Sequence, residues 1–300
     1  MSTSGRLHWP EYLIEAGALG TFMISACVFG TLLGHPSSPV VAAVRSDFVR
    51  RMMMGVLMGL TLVAIVYSPW GRRSGAQMNP AFTLTFFRLG RSASRDAAGY
   101  VVAQFIGGAL GVLVSGALLG DALAAPGVEY VVTQPGMAGI VVAFAAEAVI
   151  SALLLTMVLH VSSSERWKRY TGLVAGILVA TYITVEAPLS GMSMNPARTV
   201  ASALGANHWM SVWLYFVAPL LGMLAAAEWF VRSRDGREIP CGKLMHAEPC
   251  LFCDHVNAVS SLSSLGSESK GIKSSHVPTC DDLIPLDSDP NELIHQRPSC

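Results

Sequence analysis

The residues of this 300-residue chain that could do chemistry fall into three groups. One is a ten-residue phrase written twice, "SGAQMNPAFT" at 74–83 and "SGMSMNPART" at 190–199, with Ser, Gly, Met, Asn, Pro, Ala and Thr in common. Another is a small set of acids in apolar sequence: Glu15, Glu147, Glu186 and Glu228. The last is "CGKLMHAEPCLFCDH", which supplies Cys241, His246, Cys250, Cys253 and His255. The phrases offer two side-chain amides, from Asn79 and Asn195, and one guanidinium, Arg198, where the first copy has Phe82. Such N–H groups orient polar molecules and do not attack them. No nucleophile and base stand together and no phosphate loop is present, so an enzyme is not expected.

The elements that must position these residues are membrane helices. Hydrophobic residues make up 52% of the chain and charged ones 13%, against about a quarter charged in soluble domains. The mean hydropathy of +0.49 includes a polar C-terminal stretch that dilutes an apolar body. A spanning helix needs about 20 apolar residues, and six stretches qualify, near 12–34, 51–70, 97–120, 137–160, 170–188 and 208–231. They are too continuous for the alternation of barrel strands. The first run lacks a cleavage site and reads as a retained span. Formal net charge is zero, which implies no attraction to nucleic acid.

Lys and Arg orient the bundle. Arg72, Arg73, Arg88, Arg91 and Arg95 lie between spans two and three, Arg166, Lys168 and Arg169 after span four, and Arg232, Arg234 and Arg237 after span six. The connection after span three, "GDALAAPGVEYVVTQPG", has none. The positive-inside bias therefore places both termini in the cytoplasm, in a plasma or inner membrane, with Arg45, Arg50 and Arg51 dissenting. Glycines spaced by four (Gly30/Gly34, Gly55/Gly59, Gly107/Gly111, Gly116/Gly120, Gly172/Gly176) predict close helix packing.

The two phrases stand 116 residues apart with three spans between them, so they enter the membrane from opposite sides. That is the layout of an inverted repeat whose interrupted helices meet near the midplane. Asn is a favoured N-cap and Pro suits the first helical position, so Asn79-Pro80 and Asn195-Pro196 each start a short helix. The positive dipole ends of the two helices would meet and repel cations. Small Ala81 and Ala197 would let the turns touch, and the Asn amides would take the oxygens of a passing water file and break a proton wire.

These phrases, with "VAQFIGGALG" at 102–111, Glu15 and Glu147, and "YTGLVAGILVATYITVEAPLSG" ahead of the second copy, resemble the aquaporin and aquaglyceroporin (major intrinsic protein) family over about residues 11–232. The resemblance implies an all-α membrane protein of six transmembrane helices plus two inward half-helices, a homotetramer in which each protomer encloses a passive pore for water or small neutral solutes, with no cofactor. It makes Asn79, Pro80, Ala81, Asn195, Pro196 and Ala197 the paired pore motifs and Arg198 the selectivity-filter arginine. By the family's spacing Met192 and Ile183 fall on two further filter positions, Ile183 where water channels place His. The span-two position falls on Met58 or Gly59, because "YSPWGRRSG" contains an extra residue. An apolar constriction suits a solute with a hydrocarbon face, such as glycerol, or makes a poorly wetted pore. The resemblance also implies that Glu15 and Glu147 accept hydrogen bonds from the motif loops, with Gln104 as a similar structural group. Glu186 receives no role, and Glu228 is expected to be wet.

The chain divides into residues 1–10 as a cytoplasmic N-terminus, 11–232 as the channel domain and 233–300 as a polar tail expected to be disordered. Five of the six cysteines lie in that tail. Cys241, His246, Cys250 and Cys253 are enough ligands for a tetrahedral zinc site, although the spacing fits no standard zinc finger. The competing reading is a flexible tail without metal. Two other functions stay open: a secondary transporter built on the inverted repeat, which would need an ion-coupling group that the motifs lack, and a membrane sensor working through a metal-binding tail.

Overall fold

A computed structural model describes residues 7–233, 239–245, 250–253, 255 and 256, and all elements among them are helical. The helices are α1 (Trp9–Gly34), α2 (Pro39–Ala43), α3 (Asp47–Tyr67), α4 (Pro69–Ser74), α5 (Pro80–Arg88), α6 (Ser94–Leu119), α7 (Ile140–Ser162), α8 (Thr171–Val185), α9 (Ala187–Ser190), α10 (Pro196–Ala206) and α11 (Leu214–Ser233). Five of them, α1, α3, α6, α7 and α11, are long and apolar enough to cross a membrane. Their outward faces expose Leu60, Leu118, Val141 and Leu221, among others, as lipid-facing residues must be.

The fifth expected span is shorter than its apolar run suggested. α8 has 15 residues, about 22 Å of helix against a hydrocarbon core of about 30 Å. It stops at Glu186 because Pro188 opens the separate turn α9. The second span also ends early, at Tyr67: Ser68 takes an extended conformation, and its hydroxyl accepts the Gly71 N–H to cap α4.

Packing follows the repeat. Within the first half α1 lies on α6, within the second α7 lies on α11, and α3 lies on α8 to join the halves. The half-helix α5 leans on α11 and α10 on α6, so each is held by the other half's third span. Close approach is set by glycine: a Cβ on Gly107 would sit 2.0 Å from the Ala16 carbonyl oxygen, and one on Gly59 would sit 2.6 Å from that of Gly176. Gly116 and Gly120 have open space instead, so that predicted pair packs nothing; Gly30 and Gly34 meet Val131 and Gly127 of a connection, not a helix.

Residues 7–12, 68–77, 89–100, 239–245 and 250–253 share one face of the bundle, called here the terminal face. On it Arg73 pairs with Glu11 at 2.9 Å, and Asp96 accepts from the Tyr12 hydroxyl at 2.6 Å. Cys250 and Phe252 are buried on the same face against Tyr12 and Tyr100, with the Phe252 and Tyr100 rings edge to face at 5.7 Å. The apolar pair Leu251-Phe252 and neighbouring Cys250 find cover there that water cannot give. The rest of the polar tail, His246 included, lies outside the described residues.

Candidate functional site

Each phrase folds as an irregular loop followed by a capped half-helix, and the two loops match residue for residue. Gly75, Ala76 and Met78 take left-handed backbone, and so do Gly191, Met192 and Met194. Ala and Met reach that region only at a cost of about 1–3 kcal/mol each, so something must hold them there. Glu15 holds the first loop: Oε1 accepts the Ser74 hydroxyl at 2.8 Å and the Gln77 N–H at 3.0 Å, and Oε2 accepts the Met78 N–H at 2.6 Å and the Gln104 amide at 3.0 Å. Glu147 holds the second: Oε1 accepts the Ser190 hydroxyl at 2.8 Å and the Ser193 N–H at 2.6 Å, and Oε2 accepts the Met194 N–H at 2.7 Å. Both acids are fully buried. The Tyr100 hydroxyl donates to the Ser74 carbonyl at 2.7 Å, and the Tyr215 hydroxyl does the same for Ser190. Neither tyrosine was singled out in the sequence, although each stands in the span that follows its phrase.

The Asn side chains do two jobs at once. Asn79 Oδ1 accepts the Ala81 N–H at 2.9 Å, and Asn195 Oδ1 accepts the Ala197 and Arg198 N–H groups at 3.1 and 3.2 Å, as N-caps. Each Nδ2 crosses to the opposite loop, from Asn79 to the Met194 carbonyl and from Asn195 to the Met78 carbonyl, both at 2.7 Å. An amide nitrogen carries two N–H bonds, so each keeps one for the cavity that both residues line.

That cavity, about 540 Å³, runs from Gly34, Asp47, Arg50 and Arg51 down to Gln77, Met78 and Leu62. Its wall brings together Asn79, Asn195, Arg198, Met192, Ile183 and Met58. Gly59 is not on it: one residue on from Met58, it is turned into the contact with α8. Pro80, Ala81, Pro196 and Ala197 are buried behind the Asn side chains. Arg198 Nη1 is buried with no partner among the described residues, so a strong donor faces the cavity. Phe82, its counterpart, stacks on Phe86 at 4.7 Å inside the core. The unequal pair thus puts a charge on one side of the meeting point and packing on the other.

This geometry has known counterparts. The family model for the major intrinsic protein matches residues 9–230. The chain belongs to that family. It is 38% identical over 181 residues to the probable aquaporin AqpM of Archaeoglobus fulgidus, covering 58% of this chain and 73% of the relative. It is 31% identical to the glycerol uptake facilitator protein-like 6 of Lactiplantibacillus plantarum, over 72% of this chain and 94% of that one. The aquaglyceroporin of Plasmodium falciparum shares the fold, with a TM-score of 0.63 and 16% identity over 76% of this chain and 98% of that structure. Major intrinsic proteins are channels and not enzymes, and this one is a multi-pass membrane protein.

Of the remaining candidates, Glu228 is half exposed and meets Arg232 at 3.2 Å and Arg88 at 3.8 Å. Glu186 is buried, with neither carboxylate oxygen bonded among the described residues. In the tail the Sγ atoms of Cys241, Cys250 and Cys253 lie within 4.8 Å of one another. Cys241 and Cys250 are 3.4 Å apart, and their hydrogen bond pulls the Cys250 thiol down to about 5 while pushing that of Cys241 up. His246 lies outside the described residues, and His255 is not part of the cluster.

Proposed function

We propose that the protein is a passive channel for water and small neutral solutes of the glycerol type, in which Asn79, Asn195 and Arg198 exclude ions and protons. The observation that carries this reading is the cavity itself. It is walled by Met54, Met58, Leu62, Val179, Ile183 and Met192, and its side-chain donors are Asn79, Asn195 and Arg198 with Gln77, Ser193, Arg50 and Arg51. An apolar wall with a few fixed donors suits a solute that is hydrocarbon on one side and hydroxylated on the other. Two half-helix N-termini meet at the Asn pair, and the cation repulsion of their dipoles adds to that of the guanidinium.

A secondary transporter needs a coupling group in the cavity wall. Among the described residues the acid there is Asp47, at the mouth, and it is paired with Arg50. The bundle is read as a homotetramer with both termini in the cytoplasm. The dissenting Arg50 and Arg51 are spent locally, on the Val44 and Thr184 carbonyls at 2.7 and 3.5 Å, and so weigh less against that orientation. The cysteine cluster is read as a zinc site, with consequences developed below.

The test is stopped-flow light scattering on proteoliposomes, comparing water and glycerol entry with no ion gradient. Fast entry above empty liposomes supports a passive pore. Entry that needs a proton or sodium gradient would establish a transporter instead.

A further inference from the structure

The two motif loops are covered by different parts of the chain. Against the second loop, a Cβ on Gly191 would sit 3.0 Å from the Gln134 nitrogen and 3.1 Å from Thr133 Cα. The Gly136 N–H also donates to the Leu189 carbonyl at 2.9 Å. That cover is the connection after the third span. Against the first loop, a Cβ on Gly75 would sit 2.9 Å from Lys243 Cγ. The Leu244 N–H donates to the Gly75 carbonyl at 3.2 Å, and Gln77 Nε2 donates to the Gly242 carbonyl at 2.9 Å. This cover is the segment after the sixth span. Lys243 is 3% exposed, and Leu244 joins the cluster that holds Val66, Met78, Leu155 and Leu159.

Something must keep so short a stretch in place. Among the described residues the Leu244 N–H and the Gly242 carbonyl tie its backbone to the first loop, and both its ends run into polar sequence. The three sulfurs supply the means. A tetrahedral zinc–thiolate site with bonds of about 2.3 Å sets its sulfurs about 3.8 Å apart. The spacing here, 3.4 Å for one pair and within 4.8 Å for all, brackets that value. Cys241 stands immediately before the residues on the loop, and Cys250 and Cys253 flank the buried Phe252. One ion would therefore tie the cover at both ends.

We propose that Cys241, Cys250 and Cys253 bind a zinc ion, and that this thiolate site clasps residues 241–245 and 250–253 over the first motif loop and closes the channel mouth on the terminal face. The fourth position is left to water. A disulfide is the competing chemistry, and it would use two sulfurs and leave one over. The closure rests on the channel reading; the metal site and the clasp do not.

The experiment uses the full chain, purified in reductant, stripped with chelator and reloaded. Elemental mass spectrometry should find about one zinc per protomer, and Cys250→Ser with Cys253→Ser should abolish it. Cobalt loading of the unaltered protein should give thiolate charge-transfer absorption, which guards against a variant that fails to fold. Hydrogen exchange of residues 241–245 and 250–253 should slow on zinc loading. Chelation should raise solute permeability in proteoliposomes severalfold, and deletion of 233–300 should do so permanently. Zinc content unchanged in the double variant, or a zinc-free protein lighter by two hydrogens per protomer, would overturn the site. Zinc bound without slower exchange would overturn the clasp. Permeability indifferent to zinc in an otherwise active channel would overturn the closure, whereas no permeability even without the tail would overturn the channel reading.

Discussion

Glu147→Gln keeps the size of the side chain and removes one acceptor, which makes it a sharp probe of how the second loop is held. With its carbonyl oxygen where Oε1 stands, glutamine still receives the Ser190 hydroxyl and the Ser193 N–H. Its NH2 group then faces the Met194 N–H, a donor against a donor. A stranded buried N–H costs about 1–3 kcal/mol, and two bonds weakened from charged to neutral lose about 1 kcal/mol each. The sum is about 3–5 kcal/mol. At about 2–4 °C per kcal/mol for a chain of this size, the unfolding midpoint should fall by about 6–20 °C. Solute flux should fall with it, because the Met194 carbonyl is what the Asn79 amide grips across the site. The assay is thermal unfolding in detergent followed by tryptophan fluorescence, with permeability measured on the same preparation. Relief of the buried charge works in the opposite direction, and Glu147→Leu separates the two effects. If the donors dominate, leucine is less stable than glutamine. A leucine variant more stable than the glutamine one, or a glutamine variant within about 2 °C of the parent with unchanged flux, would refute the reasoning.

Other expectations follow from the same geometry. Arg198→Ala should raise proton and cation leak while leaving the fold intact, seen as pH-dye quenching in liposomes with an unchanged midpoint, because Nη1 bonds nothing among the described residues. Ile183→His adds a donor to the cavity wall and should move the water-to-glycerol permeability ratio toward water. Gly107→Val would drive a Cβ to 2.0 Å from the Ala16 carbonyl oxygen and should prevent α1 and α6 from closing, whereas Gly116→Ala meets nothing within 4 Å and should leave expression and the midpoint unchanged.

The half-helices were legible because Asn-Pro carries its own start signal, and the second copy fixed the inverted frame. Spans one, two, three, four and six were legible as apolar runs, with errors of a few residues at their ends. The end of the fifth was not, because the run through Val185 and Ala187 stays apolar across the break at Glu186, and hydropathy counts residues without asking whether their backbone is helical. Met58 and Gly59 stayed alternatives in the sequence for a related reason: one residue turns a helix by about 100°, so a shift of one moves a side chain from the cavity to a helix contact. Composition hides a local feature of the tail. Averaged over 233–300 it is polar, yet Leu251 and Phe252 between two cysteines are a local apolar signal, and Tyr12 and Tyr100 were waiting to receive it.

The crossed covers bear on how the protein is made. The loop of the second half is covered by a connection that leaves the ribosome before that loop does, so it can close on arrival. The loop of the first half, complete by Asn79, waits for Lys243 and Leu244, more than half the chain later. Synthesis proceeds at about 5–20 residues per second, which leaves the first loop uncovered for roughly 8–33 s. During that interval Gly75 and Gln77 present their carbonyl and amide to water on the terminal face. A nascent chain halted before residue 240 would therefore carry two finished halves, only one of them lidded.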